Sequence, residues 1–118
     1  MTRLYKLIDR VAWEAALTQG RFDGAGVDLA DGYIHFSTAA QAGETARRYF
    51  IGQRDLLLLT LETETFPPDL ALALRWEPAR GGDLFPHLYA PLDPALVIET
   101  RALPLGPDGA PTVGALEP

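Results

Sequence analysis

A chain of 118 residues has the length of one domain, and its 47% hydrophobic and 22% charged residues are ordinary for a globular protein. The formal net charge of -6 opposes broad affinity for nucleic acid, because neutralising phosphates requires a dense basic surface. The absence of cysteine excludes disulfides, thiolate catalysis and cysteine-based zinc sites.

The sequence also gives expectations about location and partners. The longest apolar run, LLLLTL at 56–61, is too short to span a bilayer. The N-terminal MTRLYKLIDR lacks the apolar core of a signal peptide. We therefore expect a cytoplasmic protein with no membrane and no nucleic-acid partner, a monomer by default, whose ligand is a small molecule.

The N-terminal quarter predicts a strand, a helix and a loop. RLYKLI, residues 3–8, is typical of a strand. Asp9 can cap a helix over 10–19, which Gly20 ends. The glycine-rich segment 21–32 predicts a well-defined loop without a phosphate-binding fingerprint.

A second strand and helix follow. YIHFS, residues 33–37, alternates as a strand does. Thr38 and Gln41 have the spacing of a capping box, which predicts a helix to about residue 51, closed by Gly52.

The remaining elements are mostly strands. DLLLLTL, residues 55–61, is apolar throughout and predicts a central strand covered on both faces. Two strands at 72–77 and 84–89 flank a glycine-containing turn and are expected to pair antiparallel. The last strand is predicted at 95–103.

Strands outnumber helices and do not alternate with them, which favours an α+β class with mixed or antiparallel sheets and two main helices. We predict one globular domain over residues 1–105. Residues 106–118 are rich in glycine and proline, which predicts a tail or a loosely draped segment.

The two histidines of the chain have similar surroundings. Strand alternation places Tyr33, His35 and Ser37 on one face, opposite the core residues Ile34 and Phe36. The same rule places Phe85, His87 and Tyr89 together on the later strand. If the strands are neighbours, their combined face has the composition of a small-molecule pocket. The alternative is that each histidine is an ordinary half-buried residue.

Trp76 and Glu77 complete the candidate site. Because a proline follows Glu77, the backbone there is expected to be extended. Glu77 is interpreted as a general base or a ribose-binding carboxylate. Alternatively, it is a solvated carboxylate paired loosely with Arg75 or Arg80.

Two further chemistries are less consistent with the sequence. His35, His87 and Glu77 are ligand types of catalytic zinc and iron sites, but they lack close spacing such as HExxH, so we predict no metal. Ser37 lacks the GxSxG elbow of hydrolases and is interpreted as a cap, although His35 and Ser37 share a face.

Seven segments together resemble one bacterial family, catalogued as domain of unknown function 952, over nearly the whole chain: LYKL, Trp13, DGYIHFSTAAQ, ETARRYF, the LLLL strand, RWE and LFPHLY. The resemblance implies an ADP-ribosyltransferase-like fold, in which two small sheets form a cleft. It implies no established activity.

Within such a fold, YIHFST followed by ETARRYF resembles the second motif of NAD-using enzymes and the HLS stretch of RNA 2′-phosphotransferases. This implies that His35, Ser37 and Thr38 line the nicotinamide-ribose side of the cleft. Glu77 would be the late acidic residue. The chain has Lys6 where those enzymes usually place His or Arg to hold NAD.

Three functions follow from this interpretation. The first is binding of a nucleotide-like small ligand in a histidine and aromatic cleft, with NAD or ADP-ribose as the candidate ligand or cofactor. The second is an NAD-dependent ADP-ribosyltransferase or NAD glycohydrolase, and the third is a non-enzymatic protein-interaction module. The catalytic candidates are His35, Glu77 and His87, and the cofactor-binding candidates are Tyr33, Ser37, Thr38, Trp76 and Tyr89.

Overall fold

The computed structural model describes residues 2–118, apart from the side chain of Arg80. This part of the chain forms two three-stranded antiparallel sheets and four α-helices, which confirms the α+β class. The strands are β1 (Arg3–Asp9), β2 (Ile34–His35), β3 (Leu56–Glu62), β4 (Leu74–Pro78), β5 (Leu84–Leu88) and β6 (Glu99–Leu103). The helices are α1 (Arg10–Gln19), α2 (Val27–Asp31), α3 (Ala39–Tyr49) and α4 (Pro68–Ala73).

The first sheet has the order β1-β3-β6, so β3 is its central strand as predicted. Residues 56–61 are all buried. Alternate side chains of β3 enter two different hydrophobic clusters, with Leu57 and Leu59 in one and Leu56 and Leu58 in the other. The uniform apolar composition of this strand therefore reflects burial on both faces.

The predicted caps fix the ends of the two longest helices. The Asp9 carboxylate accepts a hydrogen bond of 3.0 Å from the backbone N–H of Ala12, and Gly20 ends α1 in the left-handed conformation. At α3 the Gln41 side chain accepts a hydrogen bond of 3.0 Å from the backbone N–H of Thr38. The last helical residue of α3 is Tyr49, slightly before the predicted end.

The second sheet has the order β2-β5-β4. Its register pairs His35 with His87, which confirms that the two histidine-bearing strands are neighbours. Two backbone hydrogen bonds of 2.8 Å between Tyr5 and Ser37 join this sheet to β1. Residues of both sheets therefore meet around this junction.

Several elements differ from the sequence prediction. The strand predicted at 33–37 is shorter, since β2 comprises only Ile34–His35. The loop over 21–32 contains the short helix α2. The apolar residues before β4 form α4, because Pro68 begins a helix and a short apolar run suits helix and strand equally. β6 begins at Glu99 because Pro94–Leu96 form a 3-10 turn.

Residues 106–118 are packed against the first sheet. Val113 is buried in the cluster that contains Tyr5, and its carbonyl accepts a hydrogen bond of 2.6 Å from Arg101. The Tyr5 hydroxyl donates to the Glu117 carbonyl. Apolar contacts and hydrogen bonds thus attach this segment to the first sheet, which its glycine- and proline-rich composition did not indicate.

No helix within residues 2–118 combines the length and apolar character needed to cross a membrane.

Candidate functional site

A cleft of about 850 Å³ lies beside the junction of the two sheets. Side chains from β1, α2, β2, α3 and β5 line it, and we call it the inter-sheet cleft. Its lining combines ionisable and aromatic groups, among them Lys6, Asp28, Tyr33, His35 and His87. The volume is in the range of small-molecule sites.

One wall of the inter-sheet cleft is a cluster of aromatic and imidazole rings. The Tyr33 ring stacks on His87 at a centroid distance of 4.2 Å and an angle of 28°. The His35 centroid lies 4.6 Å from Tyr33 and 5.3 Å from His87. Tyr89 lies next to this cluster, 5.0 Å from Tyr33, but does not line the cleft. Strand alternation and the β2-β5 register together produce this arrangement.

Beneath the ring cluster lies a buried ion pair between Lys6 and Asp28. The Lys6 Nζ is 2.8 Å from Asp28 Oδ2, and their side chains are 8% and 1% exposed. Lys6 also donates to the His35 carbonyl at 3.0 Å. The other Asp28 oxygen, Oδ1, accepts from the His35 backbone N–H at 3.0 Å and lies 2.6 Å from His35 Nδ1.

These contacts explain the electrostatics of the pair. Burial by itself raises the pKa of Asp28, but the hydrogen bond from His35 and the charge of Lys6 outweigh it and lower the pKa to about 2. Burial lowers the pKa of Lys6, and the nearby Asp28 charge opposes that effect. Asp28 is therefore ionised at neutral pH and attaches α2 to both β1 and β2.

His35 lies between two carboxylates. Its Nδ1 faces Asp28, and its Nε2 is 3.0 Å from Asp31 Oδ2, at the end of α2. An ionised carboxylate only accepts hydrogen bonds, so both contacts are satisfied when each ring nitrogen carries a proton.

His87 is oriented by Glu77. The His87 Nδ1 lies 2.8 Å from Glu77 Oε1, and the Tyr89 hydroxyl donates to the same oxygen at 2.7 Å. The hydrogen bonds from Tyr89 and His87 lower the pKa of Glu77, and the bond to Glu77 raises the pKa of Tyr89. The Arg75 guanidinium lies over the Tyr89 ring, 4.9 Å from its centroid.

The remaining predicted residues have different positions. Ser37 is buried at the cleft, with its Oγ 3.0 Å from Thr45 Oγ1. Thr38 caps α3 and lines a separate surface depression near the C-terminus. Trp76 pairs with Pro86 and lies one residue from Glu77, so its side chain is on the opposite face of the second sheet. Among the predicted site residues, those that line the cleft are Tyr33, His35, Ser37 and His87, and those that do not are Thr38, Trp76, Glu77 and Tyr89. Glu77 reaches the cleft only through its contact with His87.

Glu77 has specific partners where the sequence left open a loose pairing with Arg75 or Arg80. Its carboxylate contacts His87 and Tyr89, while the Arg80 side chain lies outside the described part of the structure. Within the described residues, no three His, Asp or Glu side chains converge in a way that could hold a metal ion.

Asp28 and Asp31 are the residues that sequence reasoning missed. Both lie in the segment predicted as a loop, where acidic residues are common. Lys6 could have indicated that an acidic residue lies nearby. A lysine within the apolar strand LYKLI requires a carboxylate partner if it is buried. The sequence did not indicate which carboxylate that would be.

Comparison with protein families gives a match to the family described as a protein of unknown function, DUF952, over residues 7–100. The chain belongs to the DUF952 family. The match covers α1, α2, the second sheet and part of the first, and it includes Asp28, Asp31 and both histidines but not Lys6.

Solved structures of one protein, CC0527 from Caulobacter crescentus, resemble this DUF952 chain throughout. Its crystal structure is 47% identical over 95% of each chain, with a TM-score of 0.87. Its solution NMR structure is 49% identical over 97% of this chain and 95% of CC0527, with a TM-score of 0.82. A comparison with curated proteins gave no match.

Proposed function

We propose that the inter-sheet cleft binds a small ligand that combines a flat ring with sugar-like hydroxyl groups, as a nucleoside or nucleotide does. The observation that carries this proposal is the convergence of Tyr33, His35 and His87 on one wall of a cleft of about 850 Å³. Such a wall provides apolar ring surface together with hydrogen-bonding groups.

Hydrogen-bond acceptors at the cleft favour a ligand that carries hydroxyl groups. Thr45 donates its hydroxyl proton to the Gln41 carbonyl at 3.1 Å, so Ser37 donates to Thr45 and keeps its lone pairs as acceptors. Asp31 is 46% exposed at the side chain and provides carboxylate oxygens. Sugar hydroxyls are donors that match these acceptors.

The fold supports a more specific choice of ligand. Two antiparallel three-stranded sheets next to a shared cleft agree with the ADP-ribosyltransferase-like fold implied by the sequence resemblance. On that basis NAD and ADP-ribose are the first compounds to test. Since function resides in a site and not in a fold, the ligand must be identified by binding.

A second candidate function is an NAD-dependent transferase or NAD glycohydrolase. The observation in its favour is Glu77, a carboxylate that two hydrogen bonds hold in its ionised form beside the ring cluster. A fixed negative charge can stabilise the oxocarbenium ion that forms as a glycosidic bond breaks. Nicotinamide release from NAD by the wild type, lost in Glu77→Gln, would support this function.

The binding proposal is tested by thermal shift with NAD, ADP-ribose and nicotinamide. A ligand at a hundred times its Kd stabilises the folded state by about 2.7 kcal/mol, which is several degrees for a domain of this size. We expect a shift in the wild type that is reduced in Tyr33→Leu and retained in Trp76→Leu, whose side chain lies on the opposite face. The absence of a shift with all three compounds would contradict the choice of ligand.

A further inference from the structure

We infer that His87 is the proton-transfer residue of the inter-sheet cleft, that Glu77 positions it, and that His35 is a fixed cation with no free nitrogen to act as a base. This inference rests on the proposed binding of a hydroxyl-bearing ligand and adds a chemical step to it. It assigns different roles to two histidines that lie directly opposite each other on β2 and β5.

His35 is unsuited to proton transfer because both ring nitrogens are occupied. Nδ1 contacts Asp28 Oδ1 at 2.6 Å and Nε2 contacts Asp31 Oδ2 at 3.0 Å. Removing a proton from either nitrogen would place a lone pair against a carboxylate oxygen. His35 thus contributes a positive charge to the wall of the cleft, and together with Lys6 it balances the two aspartates.

His87 differs in having one acidic partner. Its Nδ1 faces Glu77, and a carboxylate there selects the form in which Nδ1 carries the proton. Nε2, on the other side of the ring, has no hydrogen-bond partner among the described residues. The ring is held by stacking on Tyr33 at 4.2 Å, so the direction of Nε2 is set before a ligand binds.

The proposed step is a proton transfer from a ligand hydroxyl to His87. The ligand O–H bond breaks, its electron pair stays on the oxygen, and the proton bonds to Nε2. The imidazolium that forms is stabilised by Glu77, whose charge Tyr89 fixes through a hydrogen bond of 2.7 Å. Return of the proton from Nε2 to an oxygen of the ligand restores neutral His87, so the step needs no further reactant.

Nitrogen NMR of the histidine rings tests the assignment directly, because the full chain has only two histidines. Near neutral pH we expect protons on both nitrogens of His35, but a proton only on Nδ1 of His87. His35→Gln and His87→Gln assign the signals. An unprotonated nitrogen at His35, or a proton only on Nε2 of His87, would overturn the inference.

Acylation by diethyl pyrocarbonate provides an independent test, because this reagent attacks an unprotonated imidazole nitrogen. Exposure alone predicts faster reaction at His35, whose side chain is 30% exposed, than at His87, at 6%. We expect the reverse order, measured by mass spectrometry of digested peptides. Faster acylation at His35, or none at His87, would contradict the assignment.

The positioning role of Glu77 is tested with two variants. Glu77→Gln keeps an oxygen that can accept the Nδ1 proton, whereas Glu77→Leu removes it. We expect the Nδ1-protonated form of His87 to persist in Glu77→Gln and to give way to a mixture in Glu77→Leu. An unchanged His87 ring in Glu77→Leu would show that Glu77 has no positioning role.

These tests separate this inference from the proposed function. One outcome is that His35 proves to be protonated on both nitrogens and His87 only on Nδ1 while NAD, ADP-ribose and nicotinamide fail to bind. In that case the proposed ligand is wrong, and the roles assigned to the two histidines stand. If ADP-ribose binds and the pattern is reversed, the ligand proposal stands and His87 is not the proton-transfer residue.

Discussion

The Nδ1 atom of His35 lies 2.6 Å from Oδ1 of Asp28, whose side chain is only 1% exposed. The same carboxylate pairs with Lys6 through its second oxygen. Asp28 therefore connects β1, α2 and β2, and it holds in place the strand that carries His35. The stability of the site depends on this buried carboxylate.

Replacing Asp28 should destabilise the protein strongly. Asp28→Asn leaves the buried Lys6 ammonium without its counter-charge, and loss of one partner of a buried pair costs about 3–5 kcal/mol. The matched control is Asp31→Asn, at a side chain that is 46% exposed, where we expect a loss below about 1 kcal/mol. Urea unfolding measures both, and equal losses would contradict the role of Asp28.

The stabilisation from Asp28 should disappear in acid. The pKa of Asp28 falls from 3.8 to about 2 on folding, so the unfolded chain is protonated first as the pH decreases. The stability contributed by the ionised form is present above the unfolded pKa and is lost as the pH falls towards the folded value. At about 1.4 kcal/mol per pKa unit, the loss is about 2 kcal/mol.

The same two proteins test this pH dependence. The difference in free energy of unfolding between wild type and Asp28→Asn should shrink by about 2 kcal/mol between about pH 6 and about pH 2. Comparing the two proteins removes the contributions of other carboxylates that titrate in this range. A difference that is constant with pH would show that Asp28 is not the titrating group.

The direction of side chains along each strand could be predicted from the sequence. This was enough to place most rings of the cluster on the same face of the second sheet. Alternation placed His35 and His87 on matching faces, and a pair of antiparallel neighbours brought them together. The same alternation applied to β4 would have separated Trp76 from Glu77, because adjacent residues of a strand point to opposite faces. The sequence therefore carried the information to remove Trp76 from the candidate site.

The Asp28 network could not be predicted in the same way. Its contacts depend on how the chain between α1 and β2 folds back, and α2 has only five residues and no side-chain cap. Nor did the sequence indicate that Glu77 would reach His87, because that contact depends on the β4-β5 register. Periodicity predicts which way a side chain points but not which neighbour it meets.

The C-terminal segment should contribute to stability. Val113 is 8% exposed and belongs to the hydrophobic cluster that contains Tyr5. Val113→Ala should therefore lower the free energy of unfolding by about 1–2 kcal/mol, through lost burial and the cavity left behind. The control is Ala115→Ser at an exposed position of the same segment, where we expect a change within about 0.5 kcal/mol. A Val113→Ala protein as stable as the wild type would mean that this packing contributes nothing.

Tyr33 should contribute to affinity through ring contact. An aromatic pair is worth about 0.5–1.5 kcal/mol beyond its buried area, so Tyr33→Leu should weaken binding of ADP-ribose by up to about tenfold. Trp76→Leu should leave the Kd unchanged. Isothermal titration calorimetry gives both values, and a larger loss for Trp76→Leu would place the ligand on the other face of the second sheet.

Binding of a sugar-bearing ring ligand in the inter-sheet cleft can be measured by an NMR titration of the wild type with ADP-ribose. We predict that the ring signals of His87 and Tyr33 shift with a common saturation curve, while the indole N–H signals of Trp13 and Trp76 stay in place. Trp13 is a buried core residue and Trp76 lies on the opposite face of the second sheet, so both are internal controls. Shifts at the indoles without shifts at His87 and Tyr33, or no shifts at any ADP-ribose concentration, would show that this ligand does not bind in the cleft.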